Sequence, residues 1–498
     1  MSAIGDRKVV INKRLKGLPR QALEQLSKAD LIDKIIQLEA YNFQLRNLLQ
    51  KKLNSNDKDD DEYKTFLQQK NEPSEALLKQ YGEQQQHKNK RDTQRKFNWA
   101  SAHKRHVLLK LLYFGWDYQG FACQEDSNDT IESHLFRALT RTCLIESRAS
   151  SNYHRCGRTD KEVSAFCQVI SIDLRSKHNA VDQHDPSALA SEIDYCGLLN
   201  RVLPKNIQCI AWMPLRSSVY SARFDCVART YRYYFPQGDL DIAAMRAACR
   251  LLVQHADFRN FCKMDVHNGV TNYMRNLQAA CVESCDKTGI DSESGYAMYY
   301  LEIKANAFLW HQIRCIMAVL LLVGQKREQP SVISELLDVA TNPCKPQYTP
   351  AIGLPLNLFH CDFSAHTTRL ANYPHSEATE DVVVEGGSEN AKPSSEPDIT
   401  KWVYNEENMQ KLIENVQCEW TQFSVKCTMI RNVLEQLEAL QTSAFKPQQV
   451  RAQVLLLQDT IKPRQYQPLL QRKRCESLEN RIEHFVKKQR LILKDDVE

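Results

Sequence analysis

No apolar run in this chain is long enough to cross a bilayer. The longest, Cys315–Val323 (CIMAVLLLV), has nine residues, against the roughly 20 that a spanning helix needs. No secretory hydrophobic segment follows Met1, so disulfides are not expected and the thiols of a soluble, intracellular protein should be reduced. The seventeen cysteines are scattered. Cys281 and Cys285 form the one close pair, with no second pair or histidine cluster at ligand spacing, so no metal site is expected. Neither a P-loop nor a G-x-G-x-x-G is present, which removes the usual support for nucleotide-cofactor chemistry. Charge of one sign is also lacking: a net +5 over 498 residues is too weak by itself to argue for a nucleic-acid partner.

What is present is enough apolar residue for a sizeable core: 42% hydrophobic and 26% charged, the balance of a globular protein with polar appendages. Length suggests roughly three domains. Ser27, as N-cap with Asp30 in the first turn, opens a predicted helix over 27–53. There Leu31, Leu38 and Leu45 repeat every seven residues beside Ile35, Asn42 and Leu49. That seam, with a polar Asn inside it, fits a short dimeric coiled coil or an amphipathic helix docked on its own chain. Residues 54–102 read as a linker holding DKDDDE and the basic run His87–Lys96, five Lys/Arg against one Asp. Such a run is a solvated segment or a phosphate-contacting arm. A glycine-, serine- and acid-rich linker spans 364–400 and a helical, partly basic extension spans 401–498, with a long helical pattern over Asn405–Leu440 and a stripe of Leu478, Ile482 and Phe485.

The body between them, 103–363, predicts an α+β fold in two portions, 103–220 and 221–363. His106–Phe114 reads as a strand. Asp129 and Glu132 read as a capping box before a helix stripe of Ile131, Leu135 and Leu139. Ile170, Ile172 and Leu174 alternate as a strand face. Further strands are expected over Ile207–Pro214, Arg229–Phe235 and Tyr296–Ala305, and helices over Asp241–Gln254 and Ala307–Val323, the last closed by Gly324 as a C′ residue. The turn Asp286–Gly289 (DKTG) resembles an aspartyl-phosphate segment, but its Asp/Ser/Gly-rich surroundings make it a hairpin turn.

Three stretches carry chemistry. In HRCGRTDKEVSAFCQVISID (His154–Asp173), Asp160 lies between Arg158 and Lys161, just before a strand. Nearby cations keep a carboxylate ionised, which suits a nucleophile, while a loop Asp also caps turns. In SARFDCVARTYRYYF (Ser221–Phe235), Arg223, Arg229 and Arg232 interleave with Phe224, Tyr231 and Tyr233 along a probable strand. Guanidinium groups for phosphates and aromatic faces for bases suit RNA; a solvated cationic edge reads the same way. In EIKANAFLWHQIRCIMAVLLLVG (Glu302–Gly324), Arg314 sits in an otherwise apolar helix. Either it pairs with a carboxylate, Asp160 being the natural partner, or it lies on exposed first turns near His311 and Gln312.

Taken together, GRTDKEVSA, SARFDCVARTYRYY and IKANAFLWHQIRCIMAVLLLVG resemble, in order and spacing, the three motifs of the TruA family of tRNA pseudouridine synthases. Glu162-Val163-Ser164 stands where many members have Gly-Val-His. FGWDYQGFACQ, TIESHLFRAL and RCESLENRIEHF resemble the eukaryotic branch acting at tRNA positions 38 and 39 of the anticodon stem-loop. The resemblance implies two similar α+β halves making one extended antiparallel sheet with helices on one face and a central RNA-binding cleft. It implies Asp160 as catalytic nucleophile, Arg158 displacing the target base, Tyr231 packing on the uracil, Arg314 pairing with the carboxylate and Arg223 contacting RNA. His267–Asn272 would face RNA as well, and His87–Arg105 and Arg472–Arg490 are expected to touch tRNA. No cofactor is implied, and a homodimer of the nucleus and cytoplasm is. The alternatives are a tRNA-binding chaperone or scaffold that keeps the fold, and a sister synthase with other target uridines.

Overall fold

The computed structural model describes residues 8–11, 97–124, 129–285, 295–366, 399–440, 452–458, 465–488 and 491–494. The heptad segment 27–53, the run His87–Lys96, the DKTG turn and most of the acidic linker lie outside them. Strands are β1 (Lys8–Ile11), β2 (His103–Tyr113), β3 (His154–Arg155), β4 (Ser164–Ser176), β5 (Ile207–Pro214), β6 (Cys226–Pro236), β7 (His255–Asp257), β8 (Met274–Ser284), β9 (Met298–Ala305), β10 (Leu356–Phe363) and β11 (Leu491–Lys494). Helices are α1 (Ile131–Arg141), α2 (Pro186–Ser191), α3 (Tyr195–Asn200), α4 (Ile242–Leu252), α5 (Gln312–Gly324), α6 (Val332–Leu337), α7 (Glu406–Leu440), α8 (Ala452–Leu455) and α9 (Leu478–Lys487). Strands β1 and β11 pair by themselves; the others form a nine-stranded sheet in the order β5-β2-β4-β10-β6-β9-β8-β7, with β3 beside β4. The chain is thus α+β with one large, mostly antiparallel sheet. The exception is β4 with β10, a parallel contact registering Ser164 with Asn357 and Ala165 with Leu358.

The expected alternation in β4 is real but incomplete. Ile170, Ile172 and Leu174 are buried, and so are the neighbouring Val169 and Ser171. A strand covered on both faces reads as a continuous apolar run. In α1 the stripe Ile131, Leu135 and Leu139 is buried as expected. Its cap is not: Thr130 is the N-cap, accepting the Ser133 N–H. Glu132 points inward, where its carboxylate accepts from Arg155 at 2.5 Å, Tyr153 at 2.6 Å, Cys123 N–H at 2.9 Å and Arg148 at 3.2 Å. Burial pushes the Glu132 pKa up, and Arg155 with the other donors more than reverses it, so the carboxyl sits below its usual value.

Two boundaries also differ from expectation. Ser221–Asp225 is a turn rather than strand, closed by Asp225, whose side chain accepts the Ser221 N–H at 2.7 Å. Helix α5 begins at Gln312, not Ala307. Gly324 is its last residue rather than a left-handed cap; that conformation falls to Lys326, φ 57°. A Cβ on Gly324 would meet Met245 Sδ at 2.8 Å, so close helix packing accounts for this glycine.

Two other glycines hold the loop before β4. A Cβ on Gly115 would lie 2.0 Å from the Val163 carbonyl oxygen, and one on Gly353 would lie 2.7 Å from that of Lys161. Gly115→Ala therefore pushes backbone against backbone. It should cost about 1–3 kcal/mol, outweighing the roughly 0.4–1 kcal/mol that a stiffer unfolded chain returns. A lowered denaturant midpoint is the expected reading; an unchanged or raised one would show that the loop yields freely.

Candidate active site

Asp160 sits in the loop between β3 and β4, fixed on both flanks by the segment after β2. The Tyr113 hydroxyl bonds Thr159 Oγ1 at 2.8 Å, Phe121 N–H donates to the Thr159 carbonyl at 3.1 Å, and Glu162 N–H donates to the Tyr118 carbonyl at 3.1 Å. Glu162 takes left-handed backbone, φ 66°, so the strand has not begun there. Its carboxylate pairs with Lys161 at 3.7 Å.

The side chains against Asp160 come from far along the chain. Arg314 Nη1 lies 3.6 Å and His311 Nε2 3.4 Å from Asp160 Oδ2, and the Trp310 side chain donates a hydrogen bond to the same carboxylate. Arg314 is the third residue of α5 and its Nε donates to the Ala351 carbonyl at 2.7 Å. Both sequence readings of Arg314 thus hold in part: it lies on the first turn, and it meets Asp160. The N-terminus of a helix also favours an anion beside it. Burial pushes the Asp160 carboxyl above its usual pKa, against the pull of Arg314, Lys263 and the Trp310 hydrogen bond. Burial, then Arg314, Lys263 and Lys345, push His311 down to about 4, leaving its imidazole neutral at physiological pH.

Tyr231, in β6, is buried, with its hydroxyl 3.8 Å from where a Gly157 Cβ would stand and its ring edge-on to Phe308 at 5.3 Å. It lies beneath the Asp160 loop. Arg158 is at the surface and makes no ion pair with Asp160 among the described residues. Partial burial and then the guanidiniums of Arg155 and Arg223 lower its pKa, the mark of clustered positive charge. Arg223, in the turn before β6, is exposed, its guanidinium 5.1 Å from the Phe224 ring.

The other two arginines of that motif do not offer themselves to phosphate. Arg229 donates to the carbonyls of Cys156 at 2.9 and 2.6 Å, Cys226 at 3.3 Å, Asn306 at 2.6 Å and Arg223 at 3.2 Å. Arg232 pairs with Glu302 at 2.8 Å and stacks 3.6 Å from the Phe359 ring centre. In the His267–Asn272 loop, His267 bonds Asp265 at 3.0 Å and its ring lies 6.1 Å from Phe485 of α9. Helix α9 docks there through buried Leu478 and Ile482.

Sequence reading missed His311, Trp310, Lys263 and Glu132. A partial signal for the first existed: His311 stands three residues before Arg314 in the sequence, next to the start of its helix.

An ionised, half-shielded carboxylate beside a guanidinium can attack an electrophilic carbon, and the clustered arginines can hold a polyanion. Residues 248–364 match the family profile described as tRNA pseudouridine synthase. The chain is similar to the tRNA pseudouridine(38/39) synthase of Homo sapiens, 40% identical over 422 residues, covering 80% of each chain. The Saccharomyces cerevisiae tRNA pseudouridine(38/39) synthase is 37% identical over 273 residues, 54% of this chain and 60% of its own. The tRNA pseudouridine synthase A of Methanosarcina mazei is 31% identical over 255 residues, 50% of this chain and 82% of its own.

Arg314 lowers the Asp160 pKa and burial raises it, so removing Arg314 leaves burial less opposed. In Arg314→Met the Asp160 carboxyl should titrate at a higher pH than in the parent, followed by NMR of 13C-labelled aspartate. A lower or equal value would mean that Arg314 does not act on it.

Proposed function

The chain belongs to the tRNA pseudouridine synthase family, and from that premise we propose that it isomerises uridine to pseudouridine at positions 38 and 39 of the tRNA anticodon stem-loop. The observation that carries the chemistry is the meeting of Asp160, in its loop, with Arg314 on the first turn of α5. The reaction breaks the C–N glycosidic bond, turns the base and joins the sugar to carbon, with nothing oxidised. Asp160 attacks the target nucleotide, Arg314 keeps it ionised, and Tyr231 underlies the uracil. A stem base must be extruded first, at a cost of a few kcal/mol. Arg158 and Arg223 flank the pocket where displaced base and backbone would need cations.

The two portions of the body form halves of the sheet meeting at β4 and β10, with the RNA cleft over that seam. The sheet order supports this, since β5, β2 and β4 come from the first portion and β6, β9, β8 and β7 from the second. The basic segments His87–Arg105 and Arg472–Arg490 contact tRNA as well. Nucleus and cytoplasm are its proposed compartments, by resemblance.

A homodimer completes the proposal. Helix α7 leaves Trp420 69%, Met429 65% and Ile430 62% exposed, and Glu414, Glu419 and Lys426 are the only charges between Leu412 and Ile430. A helix apolar on several sides wants a second protein surface, and a second copy fits the family.

Unmodified tRNA transcripts carrying uridine at 38 or 39 should gain pseudouridine at those positions, mapped by chemical labelling. Asp160→Ala should abolish the product and leave tRNA binding nearly intact. Residual turnover in that variant would sink the nucleophile assignment; tight binding with no product from the parent would favour a chaperone, and product at other uridines a sister synthase. Trp420→Glu with Met429→Glu should convert a dimer into a monomer by analytical ultracentrifugation; a monomeric parent, or a dimer in the double variant, would refute dimerisation through α7.

A further inference from the structure

Arg314 does not close on Asp160. Its Nη1 stands 3.6 Å from Asp160 Oδ2, long beside the about 2.7–2.9 Å of a charge-assisted hydrogen bond. The same Nη1 lies 3.3 Å from His311 Nε2. A guanidinium only donates, so Nε2 accepts and the imidazole proton belongs on Nδ1. Nδ1 is buried with no hydrogen-bond partner. His311 also holds left-handed backbone, φ 58°, at the residue preceding α5. An orphaned buried donor and a strained backbone on one side chain that touches a nucleophile are costs kept at functional positions. The groups facing the ring are Asp160, Arg314, Lys263 and Lys345.

We propose that His311 is a positioning residue for the isomerisation: its imidazole shares the Arg314 guanidinium with Asp160 and keeps the carboxylate from being locked in a tight ion pair. This rests on the pseudouridine synthase reading above. A carboxylate closed on a guanidinium commits its lone pairs and attacks poorly. One with the guanidinium held back keeps its charge while leaving lone pairs uncommitted for attack on carbon.

The test compares the full-length parent with His311→Gly and His311→Gln on an unmodified tRNA transcript, measuring kcat and KM. Glycine tolerates left-handed backbone, so His311→Gly keeps the loop and deletes only the imidazole. Its kcat should fall on the order of tenfold or more with KM for tRNA unchanged, the signature of an interaction made in the transition state. His311→Gln carries an amide oxygen with the reach of Nε2 and should return kcat to within about threefold of the parent. Parental kcat in the glycine variant would overturn the proposal by reducing His311 to a backbone role. A glutamine variant as slow as the glycine one would overturn the acceptor role. If the parent itself makes no pseudouridine, the functional reading fails, and the Asp160 titration judges His311 separately. In His311→Gly, Arg314 should close on Asp160 and lower its pKa; an unchanged titration would overturn the proposal.

Discussion

All five N–H donors of Arg229 are used, and none goes to a carboxylate. They reach the carbonyls of Cys156, Cys226, Asn306 and Arg223. Cys156 leads into the Asp160 loop, Arg223 and Cys226 bracket the entry to β6, and Asn306 opens the connection to α5. One guanidinium therefore sets three segments, remote in sequence, in a fixed mutual position. A shielded charge is tolerated only when its donors are satisfied, so any drift of these segments would strand donors. The separation of Asp160, Arg314 and His311 inherits that constraint. Gly115 and Gly353 press on the same loop through close backbone contact, where a side chain would not fit.

Much of this was legible in the sequence. Strong periodicity placed α1, α4 and the strands β2, β4, β5, β6 and β9, because an apolar stripe facing a core leaves its period in the residues. The pairing of Arg314 with Asp160 followed from the cost of a charge in an apolar helix. The misreadings share a cause, which is that polar residues do not announce whom they bond. Arg229 and Arg232 look like Arg223 in the sequence, yet one is consumed by carbonyls and one by Glu302 and aromatic rings. Glu132 has capping-box spacing and is instead an inward partner of arginines. The late start of α5 turns on His311 adopting left-handed backbone, which no helical pattern over Ala307–Val323 could signal. Arg158 and Lys161, the cations next to Asp160 in sequence, make no ion pair with it among the described residues, and Lys161 turns to Glu162 instead.

Electrostatically, Asp160 is a buried carboxylate on which Arg314 and Lys263 act. Arg158 clusters with Arg223 and with Arg155, itself held by Glu132. Clustered guanidiniums suit a polyanion, and Arg314 and Lys263 oppose the burial that raises the Asp160 pKa. In the proposed reaction, attracting a negative strand and presenting a negative nucleophile are opposed demands, and Arg314 standing 3.6 Å off Asp160 answers both. His311 is suited to that setting because it adds no charge of its own.

The sheet order has a further consequence, in time rather than space. Strand β4 borders β10, which follows it by nearly two hundred residues, and Asp160 meets an arginine roughly 150 positions later. At a ribosome adding ~5–20 residues per second, that interval lasts on the order of ten seconds or more. Throughout it the nascent chain has its Asp160 loop but neither the guanidinium partner nor the neighbour strand. The half-made enzyme is thus born inert toward RNA already around it, while the bare β4 edge is the stretch a chaperone would have most reason to cover.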